Sequence, residues 1–123
     1  MKMRPPAYPI INIDPYFSIW SEESVLKNTV HWTGRPNTMC ARVFIDGKEY
    51  HFLGNKTKSE SNIPDMLLKN TDIDAFSTIF TFVNESIKLS VHFTSPMLID
   101  DLYYSSRPVA YCYISYTSID DKV

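Results

Sequence analysis

Ile87-Lys88-Leu89-Ser90-Val91-His92-Phe93-Thr94 alternates apolar and polar residues without a break, and a period of two puts one set on each face of a half-buried β-strand. Just upstream, Thr78-Ile79-Phe80-Thr81-Phe82-Val83 is β-branched and aromatic, and Asn84-Glu85-Ser86 supplies turn chemistry between the two runs. Together they predict a hairpin. A second hairpin is predicted where residues 40–45 and 48–53 flank Asp46-Gly47, a dipeptide that accepts positive φ at both central turn positions. Residues 109–117 carry large rings with small residues between them and predict a central strand with both faces covered, its Tyr111, Tyr113 and Tyr116 contributing to a core. Residues 10–14 and 16–20 are extended by composition, and the Asp14-Pro15 step disfavours helix at Asp14. They predict a bent strand or two short ones, with Asp14 as an Asx-type turn former.

The remainder reads as connection. Residues 54–64 are polar and rich in turn formers, and residues 95–108 carry prolines near both ends, so the latter are expected to cross between strands without a helix. Only residues 21–27 and 64–69 are permissive for a helical turn, Ser21 being able to cap the first. Seven or eight short strands with little helix predict an all-β fold, an antiparallel β-sandwich, with residues 1–123 forming one domain. A partial, supersandwich-like domain is a variant of the same expectation.

A chain of 123 residues leaves little room for a second unit, and with 44% hydrophobic and 14% aromatic residues it is rich enough in large apolar side chains to exclude general disorder. Twelve basic against fourteen acidic residues give a net charge of −2, which carries no electrostatic footprint for nucleic acid or an anionic membrane. Neither is expected as a partner. The start, Met1-Lys2-Met3-Arg4-Pro5-Pro6, has charge but no following apolar run, which suggests the cytoplasm and leaves the compartment open. Cys40 and Cys112 both sit in apolar, strand-like runs and are expected to be buried free thiols rather than a disulfide framework.

The segment Arg4-Pro5-Pro6-Ala7-Tyr8-Pro9-Ile10-Ile11-Asn12-Ile13-Asp14-Pro15-Tyr16-Phe17-Ser18-Ile19-Trp20-Ser21, followed by His31-Trp32-Thr33-Gly34, resembles the N-terminal region of the glutaminase A family of fungi and bacteria. The likeness continues through the strand-Asp-Gly-strand unit of residues 43–54, then Phe93-Thr94-Ser95-Pro96, Asp100-Asp101-Leu102 and Ser106-Arg107-Pro108-Val109, and so covers nearly the whole chain. The resemblance implies an N-terminal β-sandwich region preceding a larger helical domain to which the amidohydrolase activity belongs. Members of that family are mostly secreted, and their sandwich is longer than this chain. This sequence is therefore expected to be a trimmed chain or an intracellular relative, with apolar strand edges that need a partner. Its expected partners are the remaining sandwich and the helical domain of a longer chain, or a second copy through exposed strand edges.

Glutamine hydrolysis needs an activated nucleophile with a base and an oxyanion hole, or a metal-bound water. Neither is assembled in this sequence. His31, His51 and His92 are far apart, without metal-ligand spacing, so no metal or cofactor is expected. His92 and His51 are expected on polar strand faces as solvated imidazoles. His31 sits beside Trp32 in a segment too polar for a strand. Either this loop projects both rings toward a cleft, or Trp32 plugs the end of the sandwich while His31 satisfies a loop carbonyl, and the second is favoured. Asp100 and Asp101 are an adjacent acidic pair whose functional reading is half of a carboxylate dyad or a calcium site with backbone oxygens; loop capping and solvent exposure are favoured, with a salt bridge to Arg107 open to either. Tyr103 and Tyr104 are candidates for an interface. His31, Trp32, Asp100, Asp101, Tyr103 and Arg107 are thus the candidate cleft or interface residues, with no catalytic residue assigned. Two glycosylation sequons, Asn55-Lys56-Thr57 and Asn84-Glu85-Ser86, fall in predicted loops. The expected function is a structural, interaction-making N-terminal domain of a glutaminase A-like protein. The alternatives are a carbohydrate-binding module, which needs at least two coplanar exposed rings, and a small oligomeric hydrolase using His31 with an acid from a neighbouring subunit.

Overall fold

The alternating run at 87–94 is the axis of the fold. A computed structural model describes residues 5–22 and 26–119. Within it, β1 (Tyr8–Asn12), β2 (Ser18–Ser21) and β3 (Thr29–His31) form one antiparallel sheet, β4 (Ala41–Ile45) and β5 (Lys48–Leu53) form a hairpin, and β6 (Leu67–Ile73), β7 (Ser77–Val83), β8 (Ile87–Thr94) and β9 (Tyr111–Ser118) form a four-stranded sheet in that order. The four-stranded sheet turns Phe80, Phe82, Leu89, Val91 and Phe93 toward Tyr8 and Ile10 of β1 and toward Ile45, Phe52 and Leu53 of the hairpin. Ring contacts cross the layers, Tyr8 to Phe80 at 6.2 Å and Phe52 to Phe82 at 5.7 Å. The protein is an all-β antiparallel sandwich, and each large side chain buried in it contributes about 1.5–3 kcal/mol.

Local chemistry explains the turns. Asp46 (φ 50°) and Gly47 (φ 76°) both adopt positive φ in the β4–β5 hairpin, the pairing that matches strand twist. Asp14 Oδ1 accepts from the amides of Tyr16 and Phe17 at 2.7 and 2.9 Å, and Asn84 Oδ1 accepts from those of Ser86 and Ile87 at 3.0 and 2.7 Å. The expected Asx turn and the expected β7–β8 hairpin are both present. Residues 10–20 form two short strands, β1 and β2, paired across that Asx turn.

Several expectations are corrected. Residues 64–69 start no helix: His51 pairs in parallel with Asp65 and β6 begins at Leu67, because backbone bonds to β5 and β7 outweigh weak helix propensity. The polar segment before Trp32 does include a short strand, β3, held by β2. The crossing at 95–108 contains one α-helical turn, α1 (Leu102–Ser105), where Asp101 Oδ1 accepts from the Tyr104 amide at 3.1 Å. The run at 109–117 yields β9, which is an edge strand and not a central one, and its Tyr111, Tyr113 and Tyr116 are exposed rather than core. Cys40 and Cys112 are both exposed, Cys40 lying before β4 and Cys112 on the uncovered β9. His51 is buried, not solvated, because β5 ends against Asp65 instead of at solvent. Of the segment 21–27 that permits a helical turn, Ser21 ends β2 and residues 23–25 lie outside the described residues, as do residues 1–4 of the start.

Candidate functional site

β3 delivers His31 to a tight turn. The His31 amide donates to the Arg35 carbonyl at 2.8 Å and the Gly34 amide returns to the His31 carbonyl at 2.8 Å, which lifts Trp32 and Thr33 out of the sheet. The Pro15 carbonyl accepts from both rings, from Trp32 Nε1–H at 2.5 Å and from His31 Nε2 at 3.0 Å. A carbonyl only accepts, so the proton on His31 is at Nε2, and Nδ1 accepts from Thr33 Oγ1 at 2.8 Å. Both imidazole nitrogens are therefore occupied, with no lone pair left free to take a proton from a nucleophile. Trp32 nevertheless remains 61% exposed, so it does not plug the sandwich. It lines an open groove of about 640 Å³ together with Asn12, Asp14, Ser18 and Trp20. Trp20 Nε1–H is spent on Ser18 Oγ at 2.7 Å, so the groove offers indole faces and not indole donors.

The second group lies on the β8–β9 crossing. Asp101 caps α1, and Asp100 sits in the exposed turn before it. Arg107 makes no salt bridge with either acid. Its guanidinium lies 4.7 Å from the Tyr103 ring centroid and 4.6 Å from that of Tyr104, a cation–π clamp that holds the helical turn against the strand entry. The two tyrosine rings stand at 79° to one another, and His31 and Trp32 at 43°; neither pair is coplanar. No hydrogen bond, ion pair or ring contact among the described residues joins the His31–Trp32 loop to this crossing.

Sequence reasoning missed a third group. His51 donates its amide to Pro64 and accepts from the Met66 amide, each at 2.9 Å, and its Nδ1 stands 3.2 Å from Asp65 Oδ1. Lys27 and Lys56 reach the same carboxylate, each at 2.7 Å, and Lys56 Nζ also donates to the Ile63 carbonyl. Burial acts to raise the Asp65 carboxyl, but hydrogen bonds from Lys27 and Lys56 and their charges outweigh it and hold the group at about 2. His51 Nε2 is buried without a partner. Nearby, the Thr57 amide and hydroxyl hold the Glu60 carboxylate below the ordinary range, with the Arg42 charge adding to them. Nothing in the sequence links positions 51 and 65. The one trace is that His51 precedes Phe52-Leu53, so strand alternation has already broken there.

The family described as Domain of unknown function (DUF4964) matches residues 1–65, more than half of the chain. The chain belongs to the DUF4964 family. A second family, Domain of unknown function (DUF5127), matches residues 76–123, so in this DUF4964 member the first match holds β1 to β5 and the second holds β7 to β9. Glutaminase A of Aspergillus oryzae (strain ATCC 42149 / RIB 40) is 26% identical over 129 residues, an alignment that takes in 97% of this chain and 18% of that protein. The chain thus spans less than a fifth of the length of the curated relative that it matches. The resemblance to the glutaminase A family noted in the sequence is borne out. No solved structure matches this DUF4964 chain.

Proposed function

We propose that this chain is the N-terminal, non-catalytic β-sandwich region of a glutaminase-like protein, and that it serves as a scaffold against which the rest of that protein packs. The observation that carries this reading is the alignment: 97% of the chain corresponds to 18% of a glutaminase A. On this reading the reaction belongs to the remainder, and the His31–Trp32 loop lends an aromatic rim to a cleft formed at the junction, where such clefts tend to lie. The bonding of His31 supports a positioning part for that residue, since both of its nitrogens are committed to the loop itself.

The test is ammonia release from glutamine by the 123-residue chain and by the product of the complete reading frame. Activity confined to the longer protein is the expected result. Turnover by the 123-residue chain alone would overturn the reading and favour the alternative of a small oligomeric hydrolase using His31.

A further inference from the structure

The chain has two tryptophans, and both line the same open groove of about 640 Å³. Trp20 comes from β2 and Trp32 from the turn that follows β3. Each indole has its one N–H committed, Trp20 to Ser18 Oγ and Trp32 to the Pro15 carbonyl. What they leave for a ligand is the π-system, which is electron-rich on its faces. The volume falls in the range of small-molecule sites, about 300–1,000 Å³.

The charge of the lining has one sign. Asp14 lines the groove, and no lysine or arginine does. Its Oδ1 accepts from the Tyr16 and Phe17 amides of the turn, and among the described residues no basic side chain pairs with the carboxylate. The Pro15 carbonyl already accepts from both rings of the loop. Elsewhere in the protein aromatic rings have a cation of their own, the Arg107 guanidinium lying 4.7 Å from the Tyr103 centroid and 4.6 Å from that of Tyr104. No described lysine or arginine is so placed over Trp20 or Trp32, although indole is the ring that attracts a cation most strongly.

We propose that this groove binds a small quaternary ammonium ion, with its methylated nitrogen against Trp20 and Trp32 and with Asp14 supplying the opposite charge. A quaternary nitrogen has no N–H to satisfy, which suits a lining whose backbone acceptor at Pro15 is already taken; a primary ammonium loses water without such compensation. A sugar uses donors as well as acceptors, and both indole donors are spent. A phosphocholine headgroup carries an anion of its own, which Asp14 repels. The ligand is therefore a free ion with net positive charge. This inference goes beyond the scaffold reading and does not depend on where glutamine is hydrolysed.

The experiment follows the indole N–H resonances of the product of the complete reading frame, isotopically labelled at tryptophan. Those of Trp20 and Trp32 are identified by their loss in Trp20→Phe and Trp32→Phe. Choline is expected to shift both saturably, with Kd on the order of 1–10 mM for so open a site. Resonances that choline leaves still overturn the proposal. Neohexyl alcohol, the uncharged all-carbon analogue of choline, is expected to bind at least about fivefold more weakly. Equal binding of the two makes the groove merely apolar and also overturns it. Asp14→Asn keeps a side-chain oxygen for the turn amides and removes the charge, so it is expected to weaken choline about three- to tenfold and leave the alcohol unchanged. Choline affinity that does not respond to this substitution counts against the proposal. So does a shift produced by glucose, or by phosphatidylcholine vesicles, where choline produces none. The comparison of choline with its analogue uses the unsubstituted protein, so it decides the matter even if a variant fails to fold. Ammonia release separates this site from the scaffold reading. Turnover confined to the longer protein with still resonances sinks the ion site alone, whereas turnover by the 123-residue chain with shifted resonances sinks the scaffold reading alone.

Discussion

His51 Nδ1 lies 3.2 Å from Asp65 Oδ1, and the same two residues pair through their backbones where β5 meets the approach to β6. Side chain and main chain thus make one joint between the hairpin and the four-stranded sheet. Lys56 shares Oδ1 with His51 and Lys27 takes Oδ2 of the same carboxylate, and the two lysines together with the Asp65 charge make the joint sensitive to acid.

The carboxyl is held at about 2 against an ordinary value of 3.8, so the folded state lowers it. Stability from the pairing is fully present above about pH 4 and is lost as pH falls through 2. The shift corresponds to about 2 kcal/mol, and because the side chain is 30% exposed screening by water brings this to about 1–2 kcal/mol. Asp65→Asn is expected to lower the unfolding free energy, read by urea titration at pH 7, by that amount and to match the wild type below pH 2. An undiminished gap at low pH would show that the loss comes from packing and not from charge.

Gly54 sits at φ +85°, and a Cβ there would overlap the Met39 carbonyl oxygen and lie 2.9 Å from Cys40 Cα. Its amide meanwhile donates to the Leu26 carbonyl at 2.7 Å. Gly47 also has positive φ but has open space around it. Gly47→Ala is therefore expected to cost about 1 kcal/mol of strain, and Gly54→Ala about 3 kcal/mol or more, since backbone cannot give way as a side chain can. Thermal midpoints of the two variants side by side decide this, and equal losses would contradict it.

Phe80 is fully buried and edge-on to both Tyr8 and Phe93, at 6.2 and 6.1 Å. It joins β1 to the middle of the four-stranded sheet, so no neighbour can collapse into its place without separating the layers. Phe80→Ala is expected to cost about 3–5 kcal/mol, read from equilibrium unfolding. A loss below 1 kcal/mol would mean that the two sheets do not depend on each other.

What the sequence made legible was local. Asp46-Gly47, Asn84-Glu85-Ser86 and Asp14-Pro15 announce turns whose chemistry lies within four residues, and the alternation at 87–94 declares which side of β8 is core. Joints between distant segments leave no such mark. His51 looks like a solvated strand residue until Asp65, fourteen positions on, is brought against it. β9 fails differently: its composition is that of a strand with covered faces, yet among the described residues nothing covers Ile114 or Tyr116. The helical turn at 102–105 was hidden because one capped turn is too short to show a period. The His31–Trp32 loop was legible as a distinctive sequence, but its attachment to the Pro15 carbonyl could come only from three dimensions.

That attachment separates two properties of Trp32 that substitution can test. The indole N–H holds the loop to Pro15, while the exposed side chain lines the groove with Trp20. If the face lines a cleft of the longer protein, Trp32→Phe keeps an aromatic surface and loses only the hydrogen bond, whereas Trp32→Ala loses both. In the product of the complete reading frame, kcat/KM for glutamine is expected to fall about tenfold in the alanine variant, the loss of about 1.4 kcal/mol of binding to the transition state. The phenylalanine variant is expected to retain most of it. Since Trp32 lies outside the core, the melting temperature of the longer protein is expected to stay within a few degrees of wild type in both. An alanine variant with unchanged kcat/KM would remove this loop from the cleft and leave Trp32 as a surface clasp on the Asp14-Pro15 turn.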